Sequence, residues 1–134
     1  IKHTGVLFLV DTLEFLHRGG RIGGAAAFLG TMLNMKPILE LRDGKIEAVE
    51  RVRTMNKAVD RLIALAEERI GSQKPVHLST LHANSYENAQ LLLDRMKERF
   101  HVTDVSETVL TDVSPVLGTH TGPGALGLCY MAGM

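Results

Sequence analysis

The chain is 134 residues and 14.7 kDa, 45% hydrophobic and 22% charged, the proportions of one ordinary globular domain. A domain of this length buries roughly two-thirds of its unfolded surface, so it needs no metal or disulfide staple. Fifteen Lys+Arg balance fifteen Asp+Glu, and the basic residues are scattered, which argues against a nucleic-acid or anionic-membrane surface.

Val6–Val10 reads as a buried strand, closed by Asp11-Thr12, either of which can cap a short helix over Leu13–His17. Gly19-Gly20 stops that helix, because glycine accepts the left-handed backbone a C-terminus needs. Ala25–Leu33 follows as a second short helix, small or apolar nearly all the way round, and such a helix is buried on more than one side. Pro37–Leu41 and Lys45–Arg53 flank Asp43-Gly44, a strong hairpin signal.

An amphipathic helix comes next, with Val59, Leu62, Ile63, Ala66 and Ile70 on one face, Thr54 as cap and Gly71 as stop. Val76–Leu81 is a strand, and Ser85 caps a helix of the same spacing carrying Ala89, Leu92, Leu93, Met96 and Phe100. Val105–Leu110 and Leu126–Ala132 close the chain as strands. Residues 1–134 therefore read as a single α/β domain, with α+β the alternative, built on a mixed sheet of five to six strands flanked by helices.

Cys129 is the only cysteine, which excludes an internal disulfide and a multi-cysteine zinc site and suits a reducing, cytoplasmic setting. It alternates with Leu128, Tyr130 and Ala132 as a buried thiol would. Val6–Val10 is far shorter than the roughly 20 residues that cross a bilayer, so no stable membrane insertion is expected. His77 and His82 lie an odd number of residues apart on a strand and point to opposite faces, and no HExxH occurs, so no metal is expected. No GxSxG elbow or Ser/His/acid set marks a catalytic residue.

Eight of the thirteen glycines fall in Gly19–Gly24 and Gly118–Gly127. Gly122-Pro-Gly-Ala-Leu-Gly127 has the spacing of a dinucleotide fingerprint, but that motif requires a following helix, and here the sequence reads as strand. A phosphate- or nucleotide-handling enzyme using this loop is the alternative functional class. Gly118-Thr-His-Thr-Gly-Pro-Gly124 places an imidazole between two hydroxyls on an open backbone, a loop that can face an anion or simply satisfy its own turn. Asp11-Thr12, Arg18 and Gly19–Gly23 form a second polar turn, either a binding element or a helix cap with solvated arginines. Met32, Met35 and Met55 fit a plastic apolar pocket or plain core.

Four segments in this order resemble the DegV family of bacterial fatty-acid-binding proteins. They are Val10-Asp-Thr-Leu-Glu-Phe-Leu-His-Arg-Gly-Gly-Arg-Ile22, Leu29-Gly-Thr-Met-Leu-Asn-Met-Lys-Pro-Ile-Leu39, Val52-Arg-Thr54 leading Lys57-Ala58, and Gly118–Gly127. The resemblance covers the family's C-terminal domain. It implies that an N-terminal domain of the parent protein is absent from this chain, in keeping with a start at Ile1 without an initiator Met.

It further implies a carrier or presenting subunit with no cofactor and no chemistry of its own. One long-chain fatty acid, of the palmitate or oleate type, is held between two domains and offered to a fatty acid kinase for phospholipid synthesis. On the same resemblance His120 stands beside the carboxyl head with Thr119, Thr121 and Gly122, while Phe28, Leu29, Met32 and Leu33 line the tail. Arg53 matches a basic residue that engages the kinase.

Overall fold

Alternating burial along the strands and a 3.6-residue apolar period along two long helices build one sheet with a helical layer on one face. The computed structural model describes residues 3–30, 35–72, 76–83, 85–100, 105–112 and 124–133, with backbone alone for His3 and for 105–112. The strands are β1 (His3–Leu9), β2 (Lys36–Arg42), β3 (Lys45–Val52), β4 (Val76–His82), β5 (Val105–Asp112) and β6 (Leu126–Ala132). They lie in the order β3-β2-β1-β6-β4-β5. All neighbours are antiparallel except β4 and β5, which run parallel across the connection that carries a helix. The fold is α/β on a six-stranded mixed sheet, as the sequence predicts.

Helices α2 (Met55–Ile70) and α3 (Tyr86–Phe100) pack on the same face of that sheet. Thr54 caps α2 by accepting from the Lys57 N–H at 3.2 Å, and Gly71 ends it with φ 63°. Ser85 takes the predicted position before α3, where its carbonyl accepts from the Ala89 N–H at 3.0 Å. Its hydroxyl accepts from the Asn88 side chain, and its own N–H donates to His82 Nδ1 at 3.1 Å. Leu7 and Leu9 of β1, Ile38 of β2, Leu78 of β4 and Leu126 and Leu128 of β6 meet Leu62, Ile63, Leu92 and Met96 in the main core. Met55 packs at its edge. A bulge opposite Ile38 and Leu39 leaves Val49 unpaired in the ladder, where it turns into this core. The Asp43-Gly44 turn has φ 52° and 77°, the pair of positive values a two-residue hairpin requires.

The second face carries much less. After β1 the chain forms α1 (Glu14–Arg18), whose first N–H groups are met by the Thr12 hydroxyl at 3.2 Å from Glu14 N. Gly20, with φ 70°, then takes the left-handed position at the helix exit. The predicted apolar helix over Ala25–Leu33 is here a 3-10 helix, Gly23–Phe28, and only Ala25 within it is buried. Ala26, Ala27 and Leu29 are exposed, and 31–34 lie outside the described residues. Gly23 and Gly24 press the backbone of this helix onto β3. A Cβ on Gly23 would stand 2.7 Å from the Ile46 carbonyl oxygen, and one on Gly24 would collide with the Glu47 carboxylate. A second, smaller core of Val10, Leu13, Leu16, Ala25, Leu39 and Ala125 joins this segment to one end of the sheet.

Charges fall outside both cores, with one exception. Glu40, on the helical face, is buried and accepts from Arg69 at 2.7 and 3.2 Å and from Arg42 at 2.8 Å. The exposed fork of Arg61 on Glu50, at 2.7 and 2.9 Å, is similar in shape but open to water. Glu40→Ala leaves Arg69 without its partner in a largely dry site and is expected to cost about 3 kcal/mol in urea unfolding. Arg61→Ala is expected to cost under about 1 kcal/mol by the same measurement.

Candidate functional site

Side chains at every second position of β1 face away from the helices: Val6 and Phe8 stand beside Leu41 and Leu39 on β2 and beside Cys129 and Gly127 on β6. Ile46 of β3 and Leu81 of β4 extend this apolar row across five strands. Nothing among the described residues covers most of it, and Leu41 and Met131 are 44% and 40% exposed. Between this face and the α1–3-10 segment lies a cleft of about 630 Å³, whose lining includes Val6, Phe8, Leu41, Ile46, Leu81 and Gly127. That volume is ordinary for a small-molecule site. Its charged lining residues, among those described, are Arg21, Lys45 and Glu47.

The two residues that bracket 113–123 are both at one end of the cleft. Asp112 closes β5 opposite His82. Gly124 donates its N–H to the Ala83 carbonyl at 2.7 Å, and a Cβ there would lie 3.3 Å from the Asp11 side chain. Its φ of 90° makes glycine the natural residue at this exit. Thr119, His120, Thr121 and Gly122 themselves lie outside the described residues, as do Met32 and Leu33. Phe28 and Leu29 end the 3-10 helix, beyond the part of it that lines the cleft, and the Arg51 guanidinium stacks 5.4 Å from the centre of the Phe28 ring. Arg53 is exposed between β3 and α2, well separated in the chain from the cleft-lining positions of β3.

The polar turn at 11–23 is satisfied locally. Arg18 pairs with Glu14 at 3.3 Å and lies over the Phe15 ring, Arg21 donates to the Gly19 carbonyl at 2.9 Å, and Lys36 reaches Asp11 at 3.3 Å. These are the bonds of a helix end with solvated cations. His82 is buried, bonded to Ser85, and edge-on to Tyr86, while His77 sits on the opposite face of β4. No group of three or more His, Cys, Asp or Glu side chains among the described residues is placed to hold a metal. No described helix is long and apolar enough to cross a membrane. Gly127 lies inside strand β6, so the helix that a dinucleotide fingerprint requires after its glycines does not follow here.

Sequence reasoning did not single out Val6, Phe8, Leu41, Ile46 or Leu81, because each reads as core. The available signal was Val6–Val10 itself. A strand apolar on both faces needs a cover on both.

The chain matches the family model described as "Uncharacterised protein, DegV family" over residues 1–133. The chain belongs to the DegV family. A DegV domain-containing protein of Streptomyces coelicolor is 43% identical over 125 residues, 93% of this chain and 43% of its own length. Protein DegV of Bacillus subtilis is 37% identical, with 96% of this chain and 45% of that protein aligned. Among solved structures, a fatty-acid-binding DegV family protein from Thermus thermophilus superposes with a TM-score of 0.88 at 36% identity, covering 96% of this chain and 45% of that one. DegV of Bacillus subtilis, a fatty-acid-binding protein, gives 0.79 at 35%, covering 96% and 45%. The chain thus spans under half the length of these DegV relatives.

Cys129 is half-buried on the open face, against the predicted full burial, and opposite Ser79. Burial pushes its thiol pKa up, and a hydrogen bond with Ser79 offsets part of that. Thiolate is the reactive form, so a raised pKa means less of it at neutral pH. Iodoacetamide labelling of Cys129 at pH 7.5 is therefore expected to be slower than that of a free cysteine, and to keep accelerating at alkaline pH after the free thiol has levelled off.

Proposed function

We propose that this DegV chain forms one wall of a binding site for a long-chain fatty acid. The observation that carries the reading is the apolar sheet face, left largely open among the described residues, with a cleft about 630 Å³ in volume and mostly apolar lining. Four interstrand steps from β4 to β3 at about 4.8 Å span roughly 19 Å. A bilayer core about 30 Å thick holds two acyl tails end to end, so one tail needs about 15 Å and fits along that path. The likeness to the fatty-acid-binding Thermus protein supports the same ligand class.

On this reading the carboxyl head sits at the Asp112–Gly124 end, where Thr119, His120, Thr121 and Gly122 supply hydroxyl, imidazole and backbone donors. Phe28, Leu29, Met32 and Leu33 extend the apolar lining. A 16-carbon tail contributes on the order of 12 kcal/mol gross, at about 0.8 kcal/mol per methylene. A charge-assisted hydrogen bond to the head adds about 1.5–3 kcal/mol. Burial holds the ligand, and the polar loop fixes its direction.

The second wall is the remainder of a two-domain protein, of which this chain is the C-terminal domain. The whole protein acts in the cytoplasm as a carrier without chemistry or cofactor of its own. It presents the acid, of palmitate or oleate type, to a fatty acid kinase that docks at Arg53.

Native mass spectrometry of the gently purified full-length protein is expected to show one fatty acid per molecule. Protein that arrives empty and also ignores added palmitate and oleate overturns the reading. His120→Ala is expected to abolish use of the acid by the kinase while lowering affinity for it by about 10- to 150-fold at most, the worth of one such hydrogen bond. Equal loss of both would show that His120 serves folding instead.

A further inference from the structure

We infer that Ile46 sets the length of acyl chain the cleft accepts. This rests on the fatty-acid reading above and adds the residue at which the tail stops. The brackets of the head-group loop, Asp112 and Gly124, adjoin β4 and the end of β1, so the tail runs from there across β6, β1 and β2 toward β3. Ile46 is the apolar residue at the β3 end of the cleft lining.

Three observations make Ile46 a stop rather than one more contact along the path. Its backbone is pinned, because Gly23 packs so closely that a Cβ there would lie 2.7 Å from the Ile46 carbonyl oxygen and 3.4 Å from its Cβ. The side chain itself is partly buried and packs against the second core, so it has little room to swing aside. Its neighbours Lys45 and Glu47 also line the cleft, and acyl carbons pushed past Ile46 would have to desolvate those charges. The 3-10 helix and β3 thus close the end of the cleft like a seam.

The test is a competition among saturated fatty acids of graded length, measured on the full-length protein. Ile46→Ala opens the end of the cleft, and each methylene newly buried there is worth roughly fourfold in affinity. Its optimum is expected to move to a longer acid than wild type prefers, with about a tenfold gain for the longest acids. Ile46→Phe fills the same end and is expected to move the optimum shorter, a shift that a merely weakened fold does not produce. Wild type that binds a preferred length, with both variants keeping that preference, overturns the role of Ile46 and leaves the fatty-acid reading standing. Wild type that binds no acid of any length overturns both.

Discussion

A sheet that is apolar on two faces and covered by helices on one is the constraint from which the rest of this structure follows. Leu7 and Leu9 spend their side chains in the main core, and Val6 and Phe8, between them on β1, point the other way. The same division runs through β2, where Ile38 faces the helices and Leu41 faces out, and through β6, where Leu126 and Leu128 face the helices while Gly127 and Cys129 do not. Monomeric domains in water rarely expose so continuous an apolar surface as the described residues leave open here. The α1–3-10 segment covers one end, and the cleft is the space that remains beneath it.

The parts legible in the sequence are those fixed by neighbours in the chain. α2 was readable from its apolar period and its Thr54 and Gly71 ends, and the hairpin from Asp43-Gly44, because caps and tight turns depend on a few adjacent residues. The sheet order was not. β6 slots between β1 and β4, joining strands from opposite ends of the chain, and no local pattern encodes that choice. The stretch predicted as a helix over Ala25–Leu33 is, in its described part, a 3-10 helix over Gly23–Phe28, for a related reason. Alanines and phenylalanine look like a buried helix in composition, but the conformation is set by Gly23 and Gly24 meeting Ile46 and Glu47 from the distant hairpin. The cleft was hidden in turn. Burial in a core and burial against a ligand ask for the same side chains, so Val6, Phe8 and Ile46 carry no mark of their own.

Electrostatics divides along the same plane. Bidentate pairs such as Arg61–Glu50 and Arg69–Glu40 lie between α2 and the strands on the helical side, where they hold Glu50 low and keep the guanidinium groups of Arg61 and Arg69 protonated. The open face carries, among the described residues, the Cys129 thiol, the Ser79 hydroxyl, His77 and, over the Phe28 ring, Arg51. A face of this kind attracts nothing at a distance. It suits ligands that gain by leaving water, so the balanced net charge is compatible with the proposed site.

The energetics of a tail on a single wall explain why a second wall belongs to the proposed site. An acyl chain lying on an open sheet loses contact with water on about half its surface, so roughly 6 of the 12 kcal/mol gross are realised. Association costs about 4–15 kcal/mol in lost translation and rotation before any flexible methylene is ordered, and that range consumes most or all of the gain. Closing a second apolar surface over the tail doubles the favourable contribution, while the cost of immobilising the ligand is incurred once. The DegV relatives are more than twice as long as this chain, long enough to supply such a surface. The open face is therefore suited to a sandwich, in which the ligand joins two walls and each wall is incomplete without the other.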